Sequence, residues 1–395
     1  MKSLMKEKID EIAKCIFEET QNKKISSFGI YEGSFGHLLF LLYYSKYCHN
    51  KKCISLVEKY AERLLVQFVE KEGNFNFCYG LAGELYLLIF LREQNIIDLD
   101  IGNAQSILEN YLLNQMKQNI QYKYFDFMHG ALGIGLYFLK RGAKTENILG
   151  LIEYLYNTAE KNVDNTIFKW ESNLIFGKNI SGYSLSMSHG MSSIIIFLSR
   201  VIKSKLSNEK IQTMLAGAVN YILLQELDFL QFGFCFPNYI LDKSIKSANK
   251  TRLGWCYGDL GVGIALWRAG TVTKNNDWQE KGVEILYKSV RRRKLEDHFV
   301  VDPGICHGSA GVAMIFRRMY LETQKDEFKK ASHFWLSQTL NFSHFEDGLA
   351  GYKSFINNAW KCDYSFLTGI SGIGLVLMSH LIEDQQNWDE LLLLS

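Results

Sequence analysis

The stretches RLGWCYGDLGVGIALW (252–267) and ICHGSAGVAMIF (305–316) each place a cysteine just ahead of a glycine and then turn apolar. A thiol at the mouth of a helix built for burial is either an inert packing group or a ligand, and its neighbours decide which. Cys306 is followed by His307, and Cys256 by Tyr257. Two cysteines and one histidine form a soft donor set for which zinc is the default ion. Three protein ligands leave the fourth position open, as in catalytic rather than closed structural sites. A zinc ion held by two thiolates is formally neutral and a weak Lewis acid, suited to a further thiolate. It would draw a substrate thiol from its free pKa of about 8.5 toward ionisation at neutral pH. The expected reactant is a thiol nucleophile, which then needs an electrophile and a proton.

His189, in SHG (188–190), is the candidate proton donor, because an imidazole titrates near neutrality; the alternative is a satisfied core histidine. Asp126, three residues before His129, either orients a histidine or caps the following helix. Arg252 either stabilises an anionic intermediate or pairs with a surface acid, and Tyr257 either hydrogen-bonds in a cavity or packs there. Cys78 reads as a buried thiol. His37, His298, His333, His344 and His380 read as structural or surface residues.

These residues share one register. Seven segments run polar or aromatic residue, Gly, two residues, usually Gly, then an apolar run; their first glycines are Gly33, Gly80, Gly130, Gly190, Gly258, Gly308 and Gly369. The residues just before those glycines are Glu32, Tyr79, His129, His189, Tyr257, His307 and Thr368, all polar-capable in a chain that is 47% hydrophobic. One position earlier stand Cys78, Cys256 and Cys306. Core packing does not ask for that clustering; a functional site does. Repeats five and six are neighbours, so Cys256, Cys306 and His307 can converge. Adjacent residues of a regular helix point about 100° apart, so Cys306 and His307 must lie in a turn, and Gly304 and Gly308 bracket one. Only the fourth copy lacks the second glycine, having Ser193 instead.

Between the copies lie amphipathic helical patterns near 4–20, 53–70, 103–118, 146–160, 208–226, 278–292 and 326–341, whereas the segments after the glycines are apolar nearly all round. The expected fold is therefore all-α: a single domain over residues 1–395, built as a double-layered α/α toroid of seven inner and seven outer helices. An open superhelix of helix pairs is the alternative. Residues 165–187 and 232–251 lack helical period and are expected as strands and loops over one face.

Lys+Arg 44 against Asp+Glu 42 gives a net charge of +2, no basis for nucleic-acid binding. The run Arg291–Lys294 reads as a solvated helix end. No apolar run reaches the length of a membrane span, and the N-terminal MKSLMKEKIDEIAKCIFEE is charged and amphipathic rather than a signal peptide. A cytoplasmic place follows, with the eight cysteines mostly free thiols.

The tandem glycine repeats, Trp255–Gly258, Cys306–Gly308 and Ser188–Gly190 resemble the lanthipeptide (lantibiotic) cyclases of the stand-alone LanC type, across essentially the whole chain. The resemblance implies one zinc ion in a central cavity. It also implies an activity: addition of a peptide cysteine thiol to a dehydroalanine or dehydrobutyrine of the same peptide, closing a (methyl)lanthionine thioether ring. Residue by residue it implies Cys256, Cys306 and His307 as zinc ligands, His189 as the acid that protonates the enolate, Asp126 as the acidic residue near it, and Arg252 and Tyr257 as cavity residues. The implied partners are a dehydrated precursor peptide (leader plus core), a dehydratase and a membrane exporter, which would give a peripheral membrane association. Two departures stand out: Ser193, which threatens the placement of the His189 helix, and His129, a second imidazole near Asp126. Rival readings are a glutathione-adding enzyme with the same zinc site and a non-catalytic scaffold. An α/α-barrel glycosidase would need paired carboxylates, where the register offers only Glu32.

Overall fold

The computed structural model describes residues 1–22, 27–69, 74–96, 103–142, 145–175, 180–241, 251–382 and 387–395. In chain order its α-helices are α1 (Lys2–Asn22), α2 (Ser34–Cys48), α3 (Lys51–Val69), α4 (Leu81–Glu93), α5 (Asn103–Gln121), α6 (Ala131–Arg141), α7 (Thr145–Thr158), α8 (Met191–Lys203), α9 (Glu209–Leu223), α10 (Phe229–Phe232), α11 (Asp259–Thr273), α12 (Asn276–Ser289), α13 (Ser309–Thr323), α14 (Asp326–Asn341) and α15 (Ile370–Leu381). The strands are β1 (Glu160–Lys161), β2 (Phe168–Lys169), β3 (Ser172–Ile175), β4 (Ile180–Ser184), β5 (Tyr239–Ile240), β6 (Ser354–Ile356) and β7 (Ala359–Lys361). The chain divides into two compact units, Met1–Leu112 with Val300–Ser395, and Leu113–Phe299.

The two helix types alternate as the sequence predicts. α2, α4, α6, α8, α11, α13 and α15 each start on the residue after the first glycine of a repeat. Their buried residues run almost without interruption, as in α4, where every residue from Leu81 to Leu91 is buried. The amphipathic helices bury one stripe: α7 buries Ile148, Leu151, Ile152 and Leu155. In the first unit α2 packs on α3, α13 on α14, and α15 on α1, α2 and α13. In the second, α6 packs on α7, α8 on α9, α11 on α12, and α8 on both α6 and α11. Each fully buried large apolar side chain, such as Trp335 on α14, contributes on the order of 1.5–3 kcal/mol.

The paired glycines have a steric cause. Before α2, α4, α6, α13 and α15 the chain folds back over the helix start, and a carbonyl from that loop takes an otherwise unpaired helical N–H: for instance, Leu81 donates to Asn74 at 2.9 Å, Ala131 to Tyr124 at 3.0 Å and Ile370 to Asp363 at 2.9 Å. A Cβ on Gly80 would stand 2.5 Å from the Asn74 carbonyl oxygen, and one on Gly130 would stand 2.6 Å from that of Tyr124. The second glycine lies under a carbonyl of its own turn and also admits the neighbouring repeat: a Cβ at Gly36 would meet the Ile30 carbonyl and then Phe366, and one at Gly372 the Phe366 carbonyl and then Ile305. Ser193 does not displace its helix. α8 begins at Met191, in register with the others, and Ser193 Oγ donates to the Gly190 carbonyl at 2.8 Å.

The expected excursions hold strands: β2, β3 and β4 within 165–187, and β5 within 232–251, with β3–β4–β5 antiparallel and β1 paired to β2. Residues 176–179 and 242–250 of those stretches lie outside the described residues. The β6–β7 hairpin was not expected. Its turn is Asn357-Asn358, both with φ near +55° (53° and 60°), the two-residue turn whose twist suits a tight hairpin. The run 291–294 also differs from expectation. α12 ends at Ser289, and Arg292 turns back into the protein at 2% exposure, while Arg291, Arg293 and Lys294 stay exposed.

Candidate functional site

In each turn the glycine is buried, while the register residue before it keeps some contact with solvent: Glu32 is exposed, and Tyr79, His129, His189, Tyr257, His307 and Thr368 are half-buried. The residue before that carries a backbone link to the next repeat. Within the first unit the amide of Cys306 donates to the Leu367 carbonyl at 2.9 Å, that of Leu367 to Tyr31 at 3.0 Å, and that of Tyr31 to Cys78 at 2.9 Å. Repeats six, seven, one and two thus follow one another by hydrogen bonds at one position. Within the second unit the Cys256 carbonyl accepts from Met187 at 3.1 Å and Ser188 at 3.5 Å, linking repeats four and five. Cys78 is buried in this linkage, a packing residue as expected.

The repeat extends further upstream than the glycine pattern alone suggests. Three residues before the register position stand Gly29, Asn76, Asp126, Ser186, Gly254, Gly304 and Ser365. Where that residue has a side chain, its oxygen accepts the register amide: Asn76 from Tyr79 at 2.9 Å, Asp126 Oδ1 from His129 at 2.7 Å, Ser186 from His189 at 2.9 Å and Ser365 from Thr368 at 3.3 Å. A neutral acceptor meets this need, as in Asx and Ser turns. Asp126 alone brings a charge and a spare oxygen, and the spare oxygen goes to His189.

Asp126 Oδ2 and His189 Nδ1 form a short hydrogen bond, and His129 Nδ1 lies 3.5 Å from Asp126 Oδ1. The two imidazoles stack with centroids 5.5 Å apart and planes 8° from parallel. Asp126 therefore serves both histidines and holds His189 the more closely. It does not supply the helix cap, which is Gly130 without a side-chain hydrogen bond. Burial alone would raise the Asp126 carboxyl, but hydrogen bonds to His129 and His189 and their charges bring it down to about 2. Burial alone would lower His189; the hydrogen bond and charge of Asp126, with a further push from Cys256, outweigh it and raise the imidazole above its usual value. Tyr257 stands beside the pair, its ring 6.4 Å from that of His189.

Cys256 is in no disulfide and sits at 4% exposure in the turn ahead of α11. Gly258 there has φ +91°, open to glycine at little cost, because the Arg252 carbonyl occupies the space a Cβ would need. Arg252 is half-buried. The next residue, Asp259, is fully buried and accepts amides from Cys235 at 3.0 Å and Phe236 at 2.9 Å, with Arg292 Nη1 at 3.1 Å. Arg292 Nη2 also donates to the Thr251 carbonyl at 2.6 Å. This ion pair ties Thr251, at the entry to the Cys256 turn, to the start of α11 and to residues 235–236.

Cys306 and His307 lie in the turn before α13, not on the helix. Asp302, at 1% exposure, pins that turn: Oδ1 accepts the Gly304 amide at 3.1 Å, Oδ2 accepts that of Phe355 at 3.2 Å, and Oδ2 is 3.5 Å from His307 Nε2. Asp259, Arg292 and Asp302 had no assigned role in the sequence reading. The Asp-Pro-Gly of 302–304 was a legible turn signal; the ion pair, between residues 33 positions apart, has no local signature. The histidines read as structural are so where the structure describes their partners. His380 lies between Ser332 and the Val376 carbonyl, burial holding it down at about 3, and His37 is held at about 4 by burial.

Fold and turns together define an α/α repeat protein that presents thiols and imidazoles at the mouths of its inner helices. The chain matches the model of the lanthionine synthetase C-like proteins over residues 2–104 and 24–393, and it belongs to that family. It is 22% identical over 358 residues to the nisin biosynthesis protein NisC of Lactococcus lactis subsp. lactis, covering 83% of this chain and 80% of that one. The solved structure of nisin cyclase superposes with a TM-score of 0.78 at 19% identity, covering 98% of this chain and 97% of the other. The fold class is thus the all-α toroid expected from the repeats. Among the described residues no helix is long and apolar enough to cross a membrane.

Proposed function

We propose that this chain is a zinc-dependent lanthipeptide cyclase. It would add peptide cysteine thiols to dehydroalanine or dehydrobutyrine, forming (methyl)lanthionine rings in a precursor peptide, with residues 1–395 acting as a single domain. Family membership over almost the whole chain is the observation that carries the reading. Cys256, Cys306 and His307 would hold one zinc ion per chain. The donor set suits it by its chemistry: two thiols outside any disulfide and an imidazole, each in a turn just ahead of an inner helix. Asp302 beside His307 Nε2 supports Nδ1 as the ligand atom, since a ligating histidine commonly rests its other nitrogen on a carboxylate. When bound, the zinc supplies ionisation of the incoming thiol at neutral pH.

The remaining steps belong to the protein. The substrate sulfur bonds to Cβ of the dehydro residue, and the π electron pair moves onto the neighbouring carbonyl as an enolate. His189, with Nδ1 held by Asp126, gives the proton from Nε2 to Cα, and the enolate returns to the amide. Its raised pKa keeps that proton available near neutrality. Arg252 and Tyr257 are proposed as cavity residues that stabilise the enolate or the bound peptide. The reading includes a dehydrated precursor (leader plus core) as substrate, a dehydratase and an exporter as partners, no nucleic acid, and a cytoplasmic place with peripheral membrane association through that complex.

The test is incubation of the purified protein with a dehydrated, cysteine-containing precursor. Ring closure leaves the mass unchanged but removes the thiol that iodoacetamide would alkylate. Consumption of glutathione with the peptide thiol untouched would replace the cyclase reading with that of a small-thiol transferase.

A further inference from the structure

Asp126, His129 and His189 lie within the Leu113–Phe299 unit. One carboxylate oxygen and one nitrogen from each ring fall within 4.8 Å of one another. A zinc ion with bonds of about 2.1 Å holds tetrahedral ligands about 3.4 Å apart, so side-chain shifts of about an ångström, with rotation of one ring, bring the three atoms to one ion. Both Nδ1 atoms face the same carboxylate; the rings are stacked nearly parallel, so one must tilt for both in-plane lone pairs to reach a single ion. The turns bearing them open α6 and α8, which pack on each other, so the donors sit on fixed elements. The turn itself needs only a neutral acceptor, as Asn76 and Ser186 show; the charge of Asp126 exceeds that need. Two imidazoles and a carboxylate, with open positions, suit divalent zinc, cobalt or iron rather than calcium.

We propose that Asp126, His129 and His189 form a second divalent-cation site, built of nitrogen and oxygen donors only. Its occupation would exchange the proton on His189 Nδ1 for the cation and clamp the ring. A loss of turnover in excess zinc would then follow, and that consequence, unlike the binding, rests on the reading of His189 as proton donor.

The experiment is a titration of metal-free, full-length protein with cobalt(II), followed by absorption. A site with thiolates gives intense sulfur-to-cobalt bands in the near ultraviolet, whereas a site of nitrogen and oxygen gives only weak visible bands. The wild type should take two equivalents, the thiolate bands belonging to one of them. His129→Phe keeps the ring stacked on His189, and Asp126→Asn keeps the acceptor for the His129 amide; each should lose the equivalent without thiolate bands while circular dichroism stays helical. A single equivalent in the wild type overturns the site, as does a second equivalent undiminished in both variants. On the precursor peptide, excess zinc should slow the wild type at least tenfold relative to one equivalent. Two bound equivalents with undiminished turnover would leave the site standing and remove His189 as the donor.

Discussion

The turns that carry Cys256 and Cys306 share a motif but are anchored in different ways. Each is tied down by one fully buried aspartate. Asp259, after the first turn, is matched by the Arg292 guanidinium, which neutralises it. Asp302, before the second turn, has two backbone amides and His307 as its described partners. The first carboxylate is therefore spent on architecture. The second lies against the His307 imidazole, where it would raise the basicity of that ring if His307 is the proposed zinc ligand. Two similar sequences thus place their buried aspartates differently, one in an ion pair and the other against the imidazole of a proposed ligand.

The largest expected effect treats the two turns alike. Cys256→Ala and Cys306→Ala should each lower cyclisation by ~100-fold or more and empty the zinc from the purified protein, measured by atomic absorption, while helical content is retained. A variant that keeps its zinc would separate the two turns and remove that cysteine from the ligand set. Next comes the contrast between the aspartates. Arg292→Met leaves Asp259 buried without its cation and should cost about 3–5 kcal/mol in urea unfolding. Asp302→Asn keeps an acceptor and should cost only ~1 kcal/mol, yet weaken zinc binding ~10–100-fold in a chelator competition. Equal stability losses from both would erase the distinction. The smallest effect concerns a third turn carboxylate. Asp126 is held at about 2 in the folded state, below its ordinary value, so its stabilisation is full above that ordinary value and fades as pH falls through about 2. The stability advantage of wild type over Asp126→Asn should be ~2 kcal/mol at pH 6 and shrink between pH 4 and 2. An advantage unchanged over that range would sink the assignment.

The repeat made much of this legible. Glycines recur where carbonyls crowd a helix start, so the inner helices begin where the pattern says, and the register residues before them are the ones that stay in touch with solvent. The same regularity hid other things. The hydrogen bonds joining Cys306, Leu367, Tyr31 and Cys78 are made by backbone and leave no mark on side-chain identity. Arg292 stood in a basic run, and a run says nothing of which member turns inward to a partner far along the chain. Asp126 was visible as an acid near two histidines. Its attachment to His189, in another repeat, depends on the packing of α6 against α8, which no local pattern states.

The packing of α1 against α15 has a consequence for how the protein comes into being. The buried stripe of α1, with Met5, Ile9, Ile12 and Ile16, is made hundreds of residues before α15, the helix that packs on it. At about 5–20 residues per second, that stripe waits roughly 20–70 s for its cover. A nascent chain of this protein therefore carries an apolar flank until α15 has been made, a natural client for chaperones, and α1 cannot settle before then.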